Sequence, residues 1–377
     1  NGAGGASFGL PRFREARFRV QFPFATVSLR DKDLPLEVEV TGWSPFEPGD
    51  ADNASLPVAA LEYRFTNKSS AAVEAVFSWN ARNFMAVRGN PEAVRPAAGG
   101  FVLWGGPNKD RPHEEGALSA TVDDPAVKVN HAWFRGGWFD PLTMAWKDIA
   151  AAACYERPPV TEGGASPGAT LFVPFTLAPG ASKTIVLRLA WYVGKTDLRV
   201  GNDPKSPPGT QVTADAHRPW YAGRFADVSA VAAYWRDHYA ELREKTRRFS
   251  DCFYDSTLPP EAIDAAAANL TILKSPTVMR QADGRLWAWE GCGDNSGCCA
   301  GSCTHVWNYA QAIPHLFPSL ERTLRETEFG PSQDDQGHQQ FRSALPIRPL
   351  VHDFHAAADG QLGGIMKVHR EWRISGD

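Results

Sequence analysis

The hydrophobic period of this chain changes once, near residue 225, and that change constrains the fold more than any other feature. Before it, apolar residues recur at every second position. In LEVEVT, Leu36, Val38 and Val40 alternate with Glu37, Glu39 and Thr41; in AALEYRFTN, Ala59, Leu61, Tyr63 and Phe65 alternate around Glu62 and Arg64. This is the pattern of half-buried strands. VEAVFSWN, LFVPFTLAPG and KTIVLRLAWYV continue the series, with TNKSS and APGAS supplying the turn chemistry between them. Many short strands without intervening helical patterns predict an antiparallel β-sandwich. TEGGASPGAT and GNDPKSPPGT read as loops or linkers.

Beyond the change, helical spacing takes over. VSAVAAYWRDHYAELREKTRRF predicts a long helix connecting two parts. PPEAIDAAAANLTIL follows, with Pro260 and Glu261 in a favoured first turn and Ile263, Ala267, Leu270 and Leu273 on one stripe. Val306, Ala310, Ile313, Phe317, Leu320 and Leu324 step by four and three, and Pro314 and Pro318 interrupt them, which predicts a kink or two abutting helices. A final helix carries Ile365, Val368, His369 and Trp372. The expected organisation is a β-sandwich domain over 1–225 and a helical domain over 226–377 that begins with a linker helix at 228–249. Repeated helices behind a sandwich suggest an α/α toroid or bundle, incomplete here because IMKVHREWRISGD stops directly after a helical pattern. The chain is therefore read as a piece of a longer protein.

At 377 residues the chain is too long for one ordinary core. A formal charge of -4 gives no broad basic field, so neither nucleic acid nor an anionic membrane is implied as a partner. No apolar run approaches the ~20 residues of a membrane span, and the opening NGAGGASFGL has no signal-peptide pattern, so the compartment is not readable. The 13 Trp suit stacking on sugar rings as well as core filling.

Chemistry concentrates in WAWEGCGDNSGCCAGSCTHVWNY, residues 287–309. Its cysteines Cys292, Cys298, Cys299 and Cys303 have the spacing C-x5-C-C-x3-C, in which two adjacent thiolates are hard to place on one tetrahedral ion. Packed thiols, disulfides in an exported protein and a structural metal all remain open, and no cofactor is expected. Cys154 and Cys252 stand alone and read as buried small hydrophobes. Glu290 ends the aromatic run GRLWAWE and precedes Gly291, which allows a close approach. A carboxylate desolvated among tryptophans suits acid, base or nucleophilic work; the plainer alternative is a strand-end glutamate paired with an arginine. His305 opens the next helical pattern.

EGCGDNSGCCAGSCTHVWNYAQAIPHLFPSLERTLRETEF and DGQLGGIMKVHREWRISGD resemble the catalytic-domain segments of glycoside hydrolase family 116, the family of non-lysosomal glucosylceramidase and related bacterial β-glucosidases. LPLEVEVTGWSPFEPGDADNASLPVAALEYRFTN and VFSWNARNF are similar to its N-terminal β-sandwich. The resemblance implies a sandwich packed on a six-hairpin α/α toroid and a retaining β-glycosidase acting on a β-glucoside or related glycoside. It makes Glu290, in the Glu290-Gly291 step, the nucleophile. It places His305 where relatives carry a sugar-binding aspartate, a departure, since a neutral imidazole cannot offer a bidentate carboxylate. Asp359 in AADGQLGG matches a second sugar-binding aspartate, with an N-cap as its structural alternative. His352 in VHDFH is a weaker candidate nearby. The family acid/base is an aspartate with no match up to Asp377, so these residues alone are expected to be inactive. A non-catalytic sugar binder, and specificity for xylose or N-acetylglucosamine, are the alternatives.

Overall fold

The alternating segments form strands from residue 15 to residue 192. The computed structural model describes residues 11–138, 140–203, 217–293, 296–298, 301, 312–340, 342–349, 351 and 357–377, with backbone alone for 290–293 and 296–298. In chain order the strands are β1 (Glu15–Gln21), β2 (Phe24–Arg30), β3 (Leu36–Trp43), β4 (Val58–Asn67), β5 (Val73–Arg82), β6 (Glu92–Ala97), β7 (Gly100–Gly105), β8 (Gly116–Thr121), β9 (Lys128–Asn130), β10 (Gly168–Leu177) and β11 (Ser182–Tyr192), with a single-turn helix α1 (Ala51–Ala54) before β4 and α2 (Pro141–Ala150) before β10. Eight of them form one antiparallel sheet in the order β1-β2-β3-β4-β11-β8-β7-β6, and β5-β10-β9 form a second.

The two sheets share a core. On β10, Ala169, Leu171, Val173, Phe175 and Leu177 point to the same side, as every second residue must, and meet Phe101 and Leu103 of β7 and Ile185 and Leu187 of β11. β10 is closed on its other side too. Trp133 donates its indole N–H to Thr170 at 2.8 Å, and Tyr155 lies against Phe172 with ring centroids 5.5 Å apart. The strand is therefore buried on both faces along much of its length, where the sequence pattern suggested one.

The outer face of the large sheet carries a helix. After α3 (Trp220–Arg224), α4 runs over Val228–Tyr254, 27 residues and ~40 Å long. Its first turn is capped by Asp227, whose side chain accepts from the Ala230 N–H. Val228, Val231, Trp235 and Leu242 recur at helical spacing and press on Val58, Ala60, Val102, Ala117 and Ala190 of the sheet. A polar staple holds the same seam: Glu62 on β4 accepts from Trp43 (2.9 Å), Tyr239 (2.6 Å) and two nitrogens of Arg243 (2.5 and 2.7 Å).

The second half of α4 leaves the sheet for another core. Phe249 and Phe253 join Phe22 and Phe46 from the strand region, and opposite them stand the helices α5 (Pro260–Leu270), α6 (Ile313–Leu316) and α7 (Pro318–Phe329). Phe46 is only 1% exposed, with its ring 4.9 Å from Phe22, 5.1 Å from Phe249 and 5.4 Å from Phe317. Ile263, Ala267 and Leu270 are the buried face of α5. The proline-interrupted stripe is two abutting helices, broken at Phe317, and its first members, Val306 and Ala310, lie outside the described residues. Helix α8 (Ala358–Ser375) packs on α7. Its apolar residues Ile365 and Trp372 are 59% and 54% exposed, so that stripe faces away from the protein described. The molecule thus has an antiparallel sheet-rich N-terminal part and a helical C-terminal part. Among the described residues, no helix is long and apolar enough to cross a membrane.

Candidate functional site

The backbone that carries Glu290 is fixed by neighbours from three directions. Two short strands, β12 (Val278–Arg280) and β13 (Leu286–Ala288), pair with Val278 opposite Ala288. From β13 the chain is tied to α7, because the Leu286 N–H donates to the Thr323 hydroxyl at 3.1 Å. The Trp289 N–H then donates to the Thr277 carbonyl at 3.1 Å, and the Ala288 carbonyl accepts from the Gly301 N–H at 2.7 Å. Between these anchors the chain makes a hairpin of β14 (Glu290–Gly293) and β15 (Ser296–Cys298), with Glu290 opposite Cys298 and Gly291 opposite Gly297. The register slips between Gly291 and Gly293, an irregularity of the bulge type that re-aims a strand.

Gly301 is the tightest point of this frame. Its φ is +73°, and a Cβ added there would come within 2.3–2.6 Å of Ser343 atoms, backbone among them. Only glycine meets both conditions without displacement. Ser343 also accepts through its carbonyl from the Trp287 indole at 3.3 Å, so one short segment supports the tryptophan before the hairpin and the glycine after it. Trp287 is 2% exposed and is a core residue rather than a sugar platform. Its ring lies 5.3 Å from that of Trp289, which is half-buried. The clamp had no signature in the sequence, because Gly301 and Ser343 meet only through the fold.

Helix α7 also braces the helix that follows it, α8. Arg322 contacts Glu371 of α8 at 2.8 Å, and Arg370 of α8 reaches Glu321 at 3.4 Å. Asp359 lies in the first turn of α8 and is exposed. The N-cap position belongs to Ala357, which makes no side-chain cap, so the capping alternative for Asp359 does not hold. Its carboxylate still stands where a helix dipole favours negative charge. Strand β13, which leads into the Glu290 hairpin, and the C-terminal end of α8 are thus both tied to α7.

His305 and His352 lie outside the described residues, as do Cys299 and Cys303. Cys292 and Cys298 fall within the two strands of the hairpin, described by backbone only. Cys154 is half-buried, whereas Cys252 is exposed on the outer side of α4, contrary to the expectation of a buried small hydrophobe. The helix face was misjudged there: Thr246, Phe249, Ser250 and Phe253 turn inward and leave Cys252 outside.

A family model described as beta-glucosidase 2, glycosyl-hydrolase family 116 N-term, matches residues 5–242. No curated protein matches the chain. Among solved structures, one described as "Putative kojibiose phosphorylase from human microbiome" is similar over 94% of this chain at 10% identity, with a TM-score of 0.43. The chain spans 42% of the length of that structure.

Proposed function

The chain belongs to glycosyl-hydrolase family 116, and on that footing we propose that the protein it represents is a retaining β-glycosidase with Glu290 as its nucleophile. The observation that carries this reading is the family match over residues 5–242, joined in the same chain to a Glu-Gly step on a braced hairpin. Helices α5 to α8 are proposed to belong to an α/α toroid behind the sandwich.

In a retaining mechanism one carboxylate attacks the anomeric carbon, the aglycone oxygen leaves with a proton from a second carboxyl ~5 Å away, and water then releases the sugar. Glu290 must be ionised when the partner is protonated, so the two environments must hold their pKa values apart. A backbone anchored at Thr277, Gly301 and Thr323 suits a nucleophile, because sub-ångström misplacement costs rate steeply. Asp359, His305 and His352 are proposed to bind sugar hydroxyls. The acid/base is not assigned within residues 1–377, and these residues alone are proposed to be inactive.

The test compares this chain with a longer parent sequence on aryl β-glucoside, β-xyloside and β-N-acetylglucosaminide. In the active form, Glu290→Ala is expected to lower turnover by at least about 10³-fold. Azide should restore turnover and yield the glycosyl azide of inverted configuration. Turnover unchanged in Glu290→Ala would reject the assignment. No turnover on any of the three sugars by the parent would favour a sugar-binding protein without catalysis.

A further inference from the structure

A cavity of about 280 Å³ lies between the strand region and the helices, walled by Phe46, Leu273, Met279, Ile313, Phe317 and Leu320. It is smaller than the ~300–1,000 Å³ of drug-sized pockets, so it suits a small ligand. Its lining is mostly hydrocarbon; among the described residues it holds two basic side chains, Lys274 and Arg280, and no carboxylate.

The two cations differ. Arg280 donates to Asp52 at 2.8 Å and to the Gly284 carbonyl at 3.2 Å, and it lies over the Trp220 ring at 4.4 Å. Asp52 on α1 neutralises it, with Arg224 3.8 Å from the same carboxylate. Lys274, on the single helical turn Thr271–Lys274, donates to the Ala54 carbonyl at 2.8 Å. Among the described residues no carboxylate pairs with it. The residue as a whole is half-buried, but its amine end is enclosed by protein. An ammonium has three donors, so most of this one's capacity is unused by that single bond. Tyr221, also on the cavity wall, donates its hydroxyl hydrogen bond to the Val193 carbonyl and offers no negative charge.

We infer that this cavity binds a small apolar monocarboxylate, whose carboxylate pairs with Lys274 and whose hydrocarbon body fills the space beside Phe46, Ile313 and Phe317. A buried cation without a counter-ion is costly, and a ligand that brings the missing negative charge together with an apolar body satisfies both features of the wall. Burial already pushes the Lys274 amine down to about 7. At pH 8 it is therefore largely neutral before binding, and pairing with a carboxylate favours its protonated form. Binding should take up a proton from solution.

Calorimetric titration of the 377-residue chain at pH 8 with hexanoate and with 1-hexanol, in phosphate and in Tris, tests this. Hexanoate is expected to bind about tenfold or more tightly than hexanol, with a heat that differs between the buffers. Lys274→Met should remove both the preference and the buffer dependence. Lys274→Met exchanges a costly buried amine for an apolar side chain of similar length, so its melting temperature should be equal or higher, which keeps the variant informative. Equal affinity for the acid and the alcohol, a preference that survives in Lys274→Met, or no binding of hexanoate would each overturn the inference.

Discussion

Glu62 sits on a strand predicted from alternation alone, yet its role came from the opposite wall of the seam. Burial pushes its carboxyl up, but the bonds from Arg243, Tyr239 and Trp43 together outweigh this and hold it below the ordinary carboxylate value of 4.5. A carboxylate so held stabilises the fold above pH 4.5, and that contribution is lost as the pH falls through its lowered folded value. Glu62→Ala should cost about 2 kcal/mol at pH 7 in urea unfolding, discounted for the partial exposure of Arg243. The difference from wild type should shrink in acid. Gly301→Ala should cost about 1–3 kcal/mol, because it adds a positive-φ penalty to a clash with Ser343. A variant that melts with wild type would show that the clamp yields freely. Glu62 was visible in the sequence only as the polar member of an alternating strand. Gly301 was one glycine in a rich loop, and nothing local named its partner.

The pair α7 and α8 shows how far periodicity reaches. Spacing correctly grouped Ile365 and Trp372 on one side of α8, but spacing says which residues share a face and not which face is covered. Here the covered side holds Gly360, Gly364 and Glu371, and the facing side of α7 holds Glu321, Arg325 and Glu328, all under 5% exposed. On α8 the charge lies inside and the hydrocarbon outside, the reverse of the usual amphipathic arrangement, whereas α7 buries Leu320 and Leu324 on another face. The broken stripe at α6 and α7 was legible because proline breaks a helix for local reasons. Arg325 bridges Glu321 (3.3 Å) and Glu328 (2.6 Å), so Arg325→Met leaves two buried carboxylates together. It should destabilise by about 3 kcal/mol or more in urea unfolding at pH 7. Burial raises the Glu328 carboxyl from 4.5 to about 7, so this group takes stability away as the pH rises between those values. Glu328→Gln should flatten that slope, and an unchanged pH profile would refute the assignment.

Across the whole chain, a sheet-rich N-terminal part is followed by a mainly helical C-terminal part, as the change of period suggested, with the last long strand ending at Tyr192 and short strands recurring between Val278 and Cys298. What periodicity did not convey is that the cores interlock. Phe46, from the strand region, inserts between Phe22, Phe249 and Phe317. Phe46→Ala should cost about 3–5 kcal/mol and lower one shared melting transition rather than split it in two. Two separate transitions in wild type would contradict the interlocked reading. Helix α4 carries the same point into a different observable. Its residues from Val231 to Leu242 are covered by the sheet, and those from Thr246 to Phe253 by the helical core. Neither half of its hydrogen-bond ladder can open to solvent without stripping the cover from the other. Deuterium should therefore enter these amides last and together, as one unbroken slow block that spans both parts of the chain.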